Sequence, residues 1–266
     1  MTLTIERNGP VTTFIRNRPE ARNAMDPEGA QALTEAMLAF DADPVQSVAV
    51  LWGAGGAFCA GFDLKYTSTL LGKERPLGEL DFPPEGEPVP RGGMGPTRLQ
   101  LSKPVVAAIA GPAVAGGMEL ALWCDIRIIE ESAYMGVYCR RWGVPLIDGG
   151  TVRLPRIVGR GRALDIILTG RKVPSEECLD IGLCERRVPH GQSRAAAEAY
   201  AHDIVRFPQM CMRADRRSVF LQEGLSEAEG LRAEWACSRD ALTVEGTAGA
   251  ARFASGLGRH GDFSQI

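Results

Sequence analysis

Phe58-Cys59-Ala60-Gly61-Phe62-Asp63 and Gly111-Pro112-Ala113-Val114-Ala115-Gly116-Gly117-Met118-Glu119 are the two stretches on which the rest of the chain turns. Each follows a short run of buried-strand character. Ser47-Val48-Ala49-Val50-Leu51-Trp52 and the Gly-rich Gly53-Ala54-Gly55-Gly56 precede the first; Val105-Val106-Ala107-Ala108-Ile109-Ala110 precedes the second, which opens a helical run from Met118 to Trp123. Two strand ends can then lie side by side. Small residues let backbone N–H groups approach a ligand, and the second set lies at a helix N-terminus, where partial positive charge favours an oxyanion. Glu119 falls in the first turn of that helix. Two facing N–H donors and one acid form a device for polarising a carbonyl and moving a proton beside it.

Outward from these turns, strand-like and helical runs alternate. Thr2-Leu3-Thr4-Ile5-Glu6 and Val11-Thr12-Thr13-Phe14-Ile15 flank Asn8-Gly9-Pro10 with period two and predict a hairpin. Asp26 is a fitting cap and Pro27 a fitting first residue for a helix whose stripe is Ala30, Leu33, Met37 and Leu38. Strands are expected at 46–52, 105–110 and 126–129, and helices at 118–123 and 160–168; repeated βαβ character argues for a largely parallel core. From Pro174 the chain reads as helical: 176–181 capped by Ser175, then about 192–206, 208–222, 226–240 and 245–254. The expected division is an α/β core over 1–190 and a helical region over 191–266. Between Gly72 and Pro96, six prolines and six glycines leave little room for regular structure, so a long loop is expected, either a lid or binding loop or simply a mobile connection.

Composition narrows the function classes. The 266 residues are 45% hydrophobic and 24% charged, ordinary for a globular domain with a substantial core. A net charge of −3 gives no general attraction to a polyphosphate backbone, and the basic cluster Arg213-Ala214-Asp215-Arg216-Arg217 is broken by an acid and reads as a solvated helix face. Nucleic acid is not expected as a partner. No run approaches the roughly 20 apolar residues that span a bilayer, and Met1 to Asn8 lacks the features of a signal peptide. No membrane association and a cytoplasmic location are expected. Seven scattered cysteines without a C-x-x-C pair suggest reduced thiols, and three histidines without a second ligand at metal spacing point away from a metal. No G-x-S-x-G elbow supports a Ser-His-Asp nucleophile.

With these segments in view, the chain resembles the crotonase, or enoyl-CoA hydratase/isomerase, superfamily. The likeness runs from Asn17-Arg18-Pro19-Glu20-Ala21-Arg22-Asn23-Ala24 through Phe58 to Lys65, Lys103 to Gly111 and the Gly-Gly-Met-Glu turn. It continues through Gly149 to Gly159, Leu168-Thr169-Gly170-Arg171 and Ile181-Gly182-Leu183. The resemblance implies a spiral of ββα units with a C-terminal helical trimerisation region. It further implies an acyl-CoA thioester substrate whose coenzyme A is part of that substrate, no further cofactor, and assembly into homo-trimers or hexamers. Hydration of an enoyl-CoA is the nominal reaction, with enoyl-CoA or dienoyl-CoA double-bond isomerisation as an alternative and a catalytically weak acyl-CoA-binding or assembly protein as another.

The same resemblance assigns residues. The N–H groups of Phe62 and Gly116 would hold the thioester oxygen, and Glu119 would face the α and β carbons of the acyl group. Ala60, Asp63, Leu64 and Lys65, with the Arg22-Asn23 turn, match positions around the coenzyme A end. Arg140-Arg141-Trp142 reads either as pocket mouth or as subunit contact. Hydratases usually carry a second Glu in a segment like F-G-x-P-E, and the aligned Met135-Gly136-Val137-Tyr138-Cys139 puts a cysteine there. A thiol with a pKa near 8.5 is a poor substitute for a carboxylate holding water. Asp148, in Pro145-Leu146-Ile147-Asp148-Gly149-Gly150, is therefore the candidate second group, with a turn residue or a partner of Arg153 as its other reading.

Overall fold

The computed structural model describes residues 2–258. Its strands in chain order are β1 (Leu3–Asn8), β2 (Val11–Arg16), β3 (Val48–Gly53), β4 (Val105–Ile109), β5 (Pro112–Val114), β6 (Ile126–Glu130), β7 (Tyr134–Gly136), β8 (Val173–Pro174) and β9 (Arg186–Val188). The helices are α1 (Pro27–Ala42), α2 (Leu64–Ser68), α3 (Gly116–Trp123), α4 (Gly150–Val158), α5 (Arg160–Thr169), α6 (Ser175–Asp180), α7 (Ser193–Val205), α8 (Gln209–Leu221), α9 (Glu227–Ala241) and α10 (Thr247–Ala254).

The hairpin pairs Leu3 with Arg16 and Asn8 with Val11, and β2 then begins a run of parallel neighbours in the order β1-β2-β3-β4-β6-β9. A second, smaller sheet has the order β5-β7-β8. Cys59 joins its edge by a parallel bridge to Ala113. After the opening hairpin, β4 with β5 and β6 with β7 each lay one strand in the large sheet and a short one in the small sheet, and the segment after β3 does the same through Cys59, which is the ββα spiral. The inner strands β3 and β4 are apolar on both faces because both faces are covered, whereas the outer strands β1 and β9 are largely polar and exposed. Val11, Val48, Val50, Val106, Ala108 and Ile128 pack on Ala197 and Ala201 of α7. Phe14, Ala49, Leu51, Ala107, Ile109 and Ile129 cluster with Leu33, Met37 and Phe40 of α1 and Met118 and Leu120 of α3. Residues that alternate along one strand therefore serve two cores. Helix α7, on the far side of the expected division at 190/191, is the cover of one sheet face.

The start of α1 follows its local chemistry. Asp26 accepts the Gly29 N–H at 2.8 Å, with Pro27 in the first turn. Four expectations need correction. Leu38 leaves the stripe and is 49% exposed, because Ala30, Leu33, Met37 and Phe40 already fill the buried face. Ser175 is the first residue of α6 and not its cap; its hydroxyl donates to the Glu131 carbonyl instead. The basic cluster on α8 is not simply solvated, since the half-buried Arg216 pairs with Asp125 at 2.8 Å and donates to the Leu101 carbonyl. The stretch 72–96 is irregular as expected, but it is not all lid: Gly92 to Thr97 is buried throughout. Among the described residues no helix is long and apolar enough to cross a membrane.

Candidate active site

The two turns meet. Cys59 N donates to the Pro112 carbonyl at 3.1 Å and Val114 N to the Cys59 carbonyl at 3.0 Å, so the chain after β3 runs directly beside the chain after β4. The approach is closer than side chains allow. A Cβ on Gly61 would lie 2.8 Å from Ala115 Cβ and 3.1 Å from Gly116 N, and one on Gly117 would overlap the Cys59 carbonyl. Ala115 takes φ +55°, a left-handed value costly for an alanine, immediately before Gly116 at the start of α3. The result is specific. Gly61 O and Asp63 N bond Met25, leaving Phe62 N between them, and among the described residues no acceptor takes the N–H of either Phe62 or Gly116. Unpaired backbone donors at a helix N-terminus are suited to an oxyanion.

Glu119, 3% exposed, follows one turn into α3. Its Oε1 accepts the N–H groups of Asp148 at 2.9 Å and Gly150 at 2.8 Å, the entry to α4. Its Oε2 has no donor among the described residues. Burial, and after it the charge of Asp148, push the Glu119 carboxyl up to about 7 against the lowering effect of the two N–H groups and Arg153. A carboxyl there exchanges its proton readily at neutral pH. Asp148 is also buried. Its Oδ1 accepts from Met94 N at 2.9 Å and from the Thr97 hydroxyl, and Oδ2 accepts from no described residue. The expected partnership with Arg153 takes another form: the guanidinium donates to the Asp148 carbonyl at 3.0 Å and the Thr97 carbonyl at 2.7 Å, not to the carboxylate.

Two free N–H donors and a neutral-range acid are accompanied by a specific likeness to known proteins. The profile of the family described as enoyl-CoA hydratase/isomerase matches residues 6–83 and 92–248. The chain belongs to the enoyl-CoA hydratase/isomerase family. It is 34% identical over 235 residues to enoyl-CoA hydratase EchA19 of Mycobacterium tuberculosis, covering 86% of this chain and 84% of that one. It is 32% identical to (E)-benzylidenesuccinyl-CoA hydratase of Thauera aromatica, covering 87% of each. The crystal structure of enoyl-CoA hydratase EchA1 from Mycobacterium marinum superposes with a TM-score of 0.85 at 29% identity, over 96% of both chains. The chain is a hydratase-like acyl-CoA enzyme with the fold of this family. Residues 84–91, the tip of the Pro/Gly-rich loop, fall outside the matched segments.

Other residues expected from the family take varied places. Cys139 is 6% exposed in a short 3-10 turn after β7, near enough to Glu119 that the carboxylate adds to burial in pushing the thiol upward. A neutral thiol results, unsuited to activating water. Asn23 is fully buried, and its amide joins Arg18 N, the Ala54 carbonyl and the Ala57 carbonyl, so its side chain braces the turn. Asp63 caps α2 through Lys65 N and pairs with Arg18 at 2.8 Å. Burial pushes its carboxyl up, but Arg18 and the two N–H groups of α2 outweigh this and hold it below its ordinary value. Ala60 is half-buried, and Arg22, Leu64 and Lys65 are exposed, around the same turn. Arg141 stacks on Tyr138 and Trp142 is 70% exposed. Sequence reasoning named Arg153 beside Asp148 but missed Met94 and Thr97 as its supports. Met94 and Thr97 lie far off along the chain, and no local pattern joins them to it.

Proposed function

We propose that the protein adds water across the double bond of a 2-enoyl-CoA, with Glu119 as the proton carrier and Asp148 as the second carboxylate. The observation that carries this reading is the pair of buried carboxylates beside the unpaired N–H groups of Phe62 and Gly116. Ionised Glu119 takes a proton from water as its oxygen bonds to C3. The C2–C3 electron pair moves into the thioester, and the enolate oxygen accepts the two N–H bonds. Glu119 then returns the proton to C2, so one water is gained and the carboxylate is restored. Asp148 Oδ2 accepts the other hydrogen of the water and orients it. Coenzyme A enters as part of the substrate, against the turns around Arg22, Ala60 and Asp63 to Lys65, and no separate cofactor takes part.

Double-bond isomerisation is the second reading, favoured by Cys139 at the aligned acid's position, since moving a proton between C2 and C4 requires no activated water. Assaying a 2-enoyl-CoA and a 3-enoyl-CoA in parallel, with products identified by mass spectrometry, separates the two. A water adduct of the 2-enoyl-CoA supports hydration; a shifted double bond without mass change supports isomerisation; binding without turnover supports an acyl-CoA-binding protein.

A cytoplasmic homo-trimer or hexamer is part of the proposal. The support for assembly is the exposed apolar series on the C-terminal helices, including Val219, Leu231, Trp235 and Phe253. Light scattering that returned a monomer at assay concentration would reject it.

A further inference from the structure

The buried segment from Gly92 to Thr97 closes on itself, with Gly92 N donating to Gly95 O at 2.8 Å and Gly95 N to Gly92 O at 3.1 Å. Its inner edge is fitted to Asp148. A Cβ on Gly92 would overlap both Thr97 Oγ1 and Asp148 Oδ1, and one on Gly93 would come within 3.1 Å of Asp148 Oδ2. Two donors from this strap, Met94 N–H and the Thr97 hydroxyl, converge on Oδ1. Met94 N–H can only donate, so Oδ1 is an acceptor, and the Thr97 hydroxyl donates to the same oxygen. The main chain is fixed from the other side: Arg153 holds the carbonyls of Asp148 and Thr97, and Glu119 holds the Asp148 N–H. Thr97 itself is 1% exposed and touches solvent hardly at all.

We infer that Thr97 is a positioning residue for the reaction, its hydroxyl fixing the Asp148 carboxylate in the one orientation that leaves Oδ2 for the reacting molecule. This rests on the reading of Asp148 as the second carboxylate. Charge-assisted O–H···O⁻ bonds are among the stronger ones in proteins. Without the hydroxyl the carboxylate keeps one donor and can turn about its χ2 angle, and misplacement of a reacting group is felt in kcat before it is felt in binding.

The test is a kinetic cycle on the full-length protein, using a panel of 2-enoyl- and 3-enoyl-CoAs as probes. Thr97→Val, which keeps shape and removes the donor, should lower kcat by about 10-fold or more while KM stays within about 3-fold. Thr97→Ser, which restores a hydroxyl, should remain within about 3-fold of wild type. In an Asp148→Asn background Thr97→Val should add less than about 2-fold, because the group it positions is gone. If Asp148→Asn costs turnover but Thr97→Val does not, or costs as much in both backgrounds, or Thr97→Ser fails equally, the inference is overturned while the Asp148 reading stands. If Asp148→Asn is harmless, the reading itself falls. A wild type that turns over no member of the panel overturns both. Should Thr97→Val not fold, Thr97→Ala replaces it against the same serine rescue.

Discussion

Replacing Glu119 by Gln should change how stability depends on pH, and the size of the change follows from the site. The folded-state carboxyl titrates at about 7 against an ordinary 4.5, chiefly because burial disfavours its charge. The folded protein therefore binds this proton more tightly than the unfolded chain. The contribution is fully present below 4.5 and is lost as pH rises through 7; above that, the folded state carries a buried anion. At about 1.36 kcal/mol for each pH unit, the gap corresponds to about 3 kcal/mol. A glutamine in its place has no proton to lose, and its amide oxygen can still accept the Asp148 and Gly150 N–H groups. The groups facing the site, Asp148, Cys139 and Arg153, are common to both proteins and largely cancel in the difference. Urea unfolding of wild type and Glu119→Gln at about pH 4 and about pH 8.5, under reducing conditions and at one protein concentration, should show the variant gaining about 3 kcal/mol on the wild type between the two. For a urea slope of about 3 kcal/mol per molar, this is a relative midpoint shift of about 1 M. A difference that does not change with pH would mean that Glu119 is ionised like an ordinary carboxyl, and it would remove the basis for its role at neutral pH.

Substitutions at four other positions probe the surroundings. Asp148→Asn should cost on the order of 10²-fold in kcat while Cys139→Ala and Cys139→Ser cost little, as steady-state kinetics will report; the reverse ranking would transfer the second role to the thiol. Gly92→Ala forces a Cβ into Thr97 and Asp148 and should destabilise the fold by about 1–3 kcal/mol while lowering turnover; a variant of wild-type stability would contradict the tight fit of the strap. Ala115→Gly removes a side chain from φ +55° and should raise stability by about 1 kcal/mol in thermal or urea unfolding; a loss of stability would show that the backbone there is unstrained.

Much of this architecture is legible in the chain because its signals are local. Period two in residues 2–15 and the Asp26-Pro27 start of α1 each rest on neighbouring residues, and each formed as expected. The apolar runs at 46–52 and 105–110 read as buried strands for the same reason and form them at Val48–Gly53 and Val105–Ile109. The strand patterns allowed the Gly61 and Gly116 turns to lie side by side, but that they do so depends on two strands pairing across distant sequence, for which the family pattern was the stronger guide. Arg153 was read beside Asp148, but Met94 and Thr97 were not legible as its supports. Thr97 lies 51 residues away, inside a stretch whose proline and glycine content described its irregularity without revealing its burial. Arg216 failed as a solvated residue for a related reason: its stem belongs to a helix face, but its partner Asp125 comes from the turn before β6.

Glu119 is central as the group that moves the proton at an acyl chain held by Phe62 and Gly116. The most direct measurement is turnover of the best 2-enoyl-CoA by wild type and Glu119→Gln in parallel, with the product followed by mass spectrometry and binding of the same acyl-CoA followed by calorimetry. The expected result is a product heavier by one water from the wild type, a loss of about 10²-fold or more in the variant, and binding of similar strength in both. Turnover by Glu119→Gln within a few-fold of wild type would contradict it.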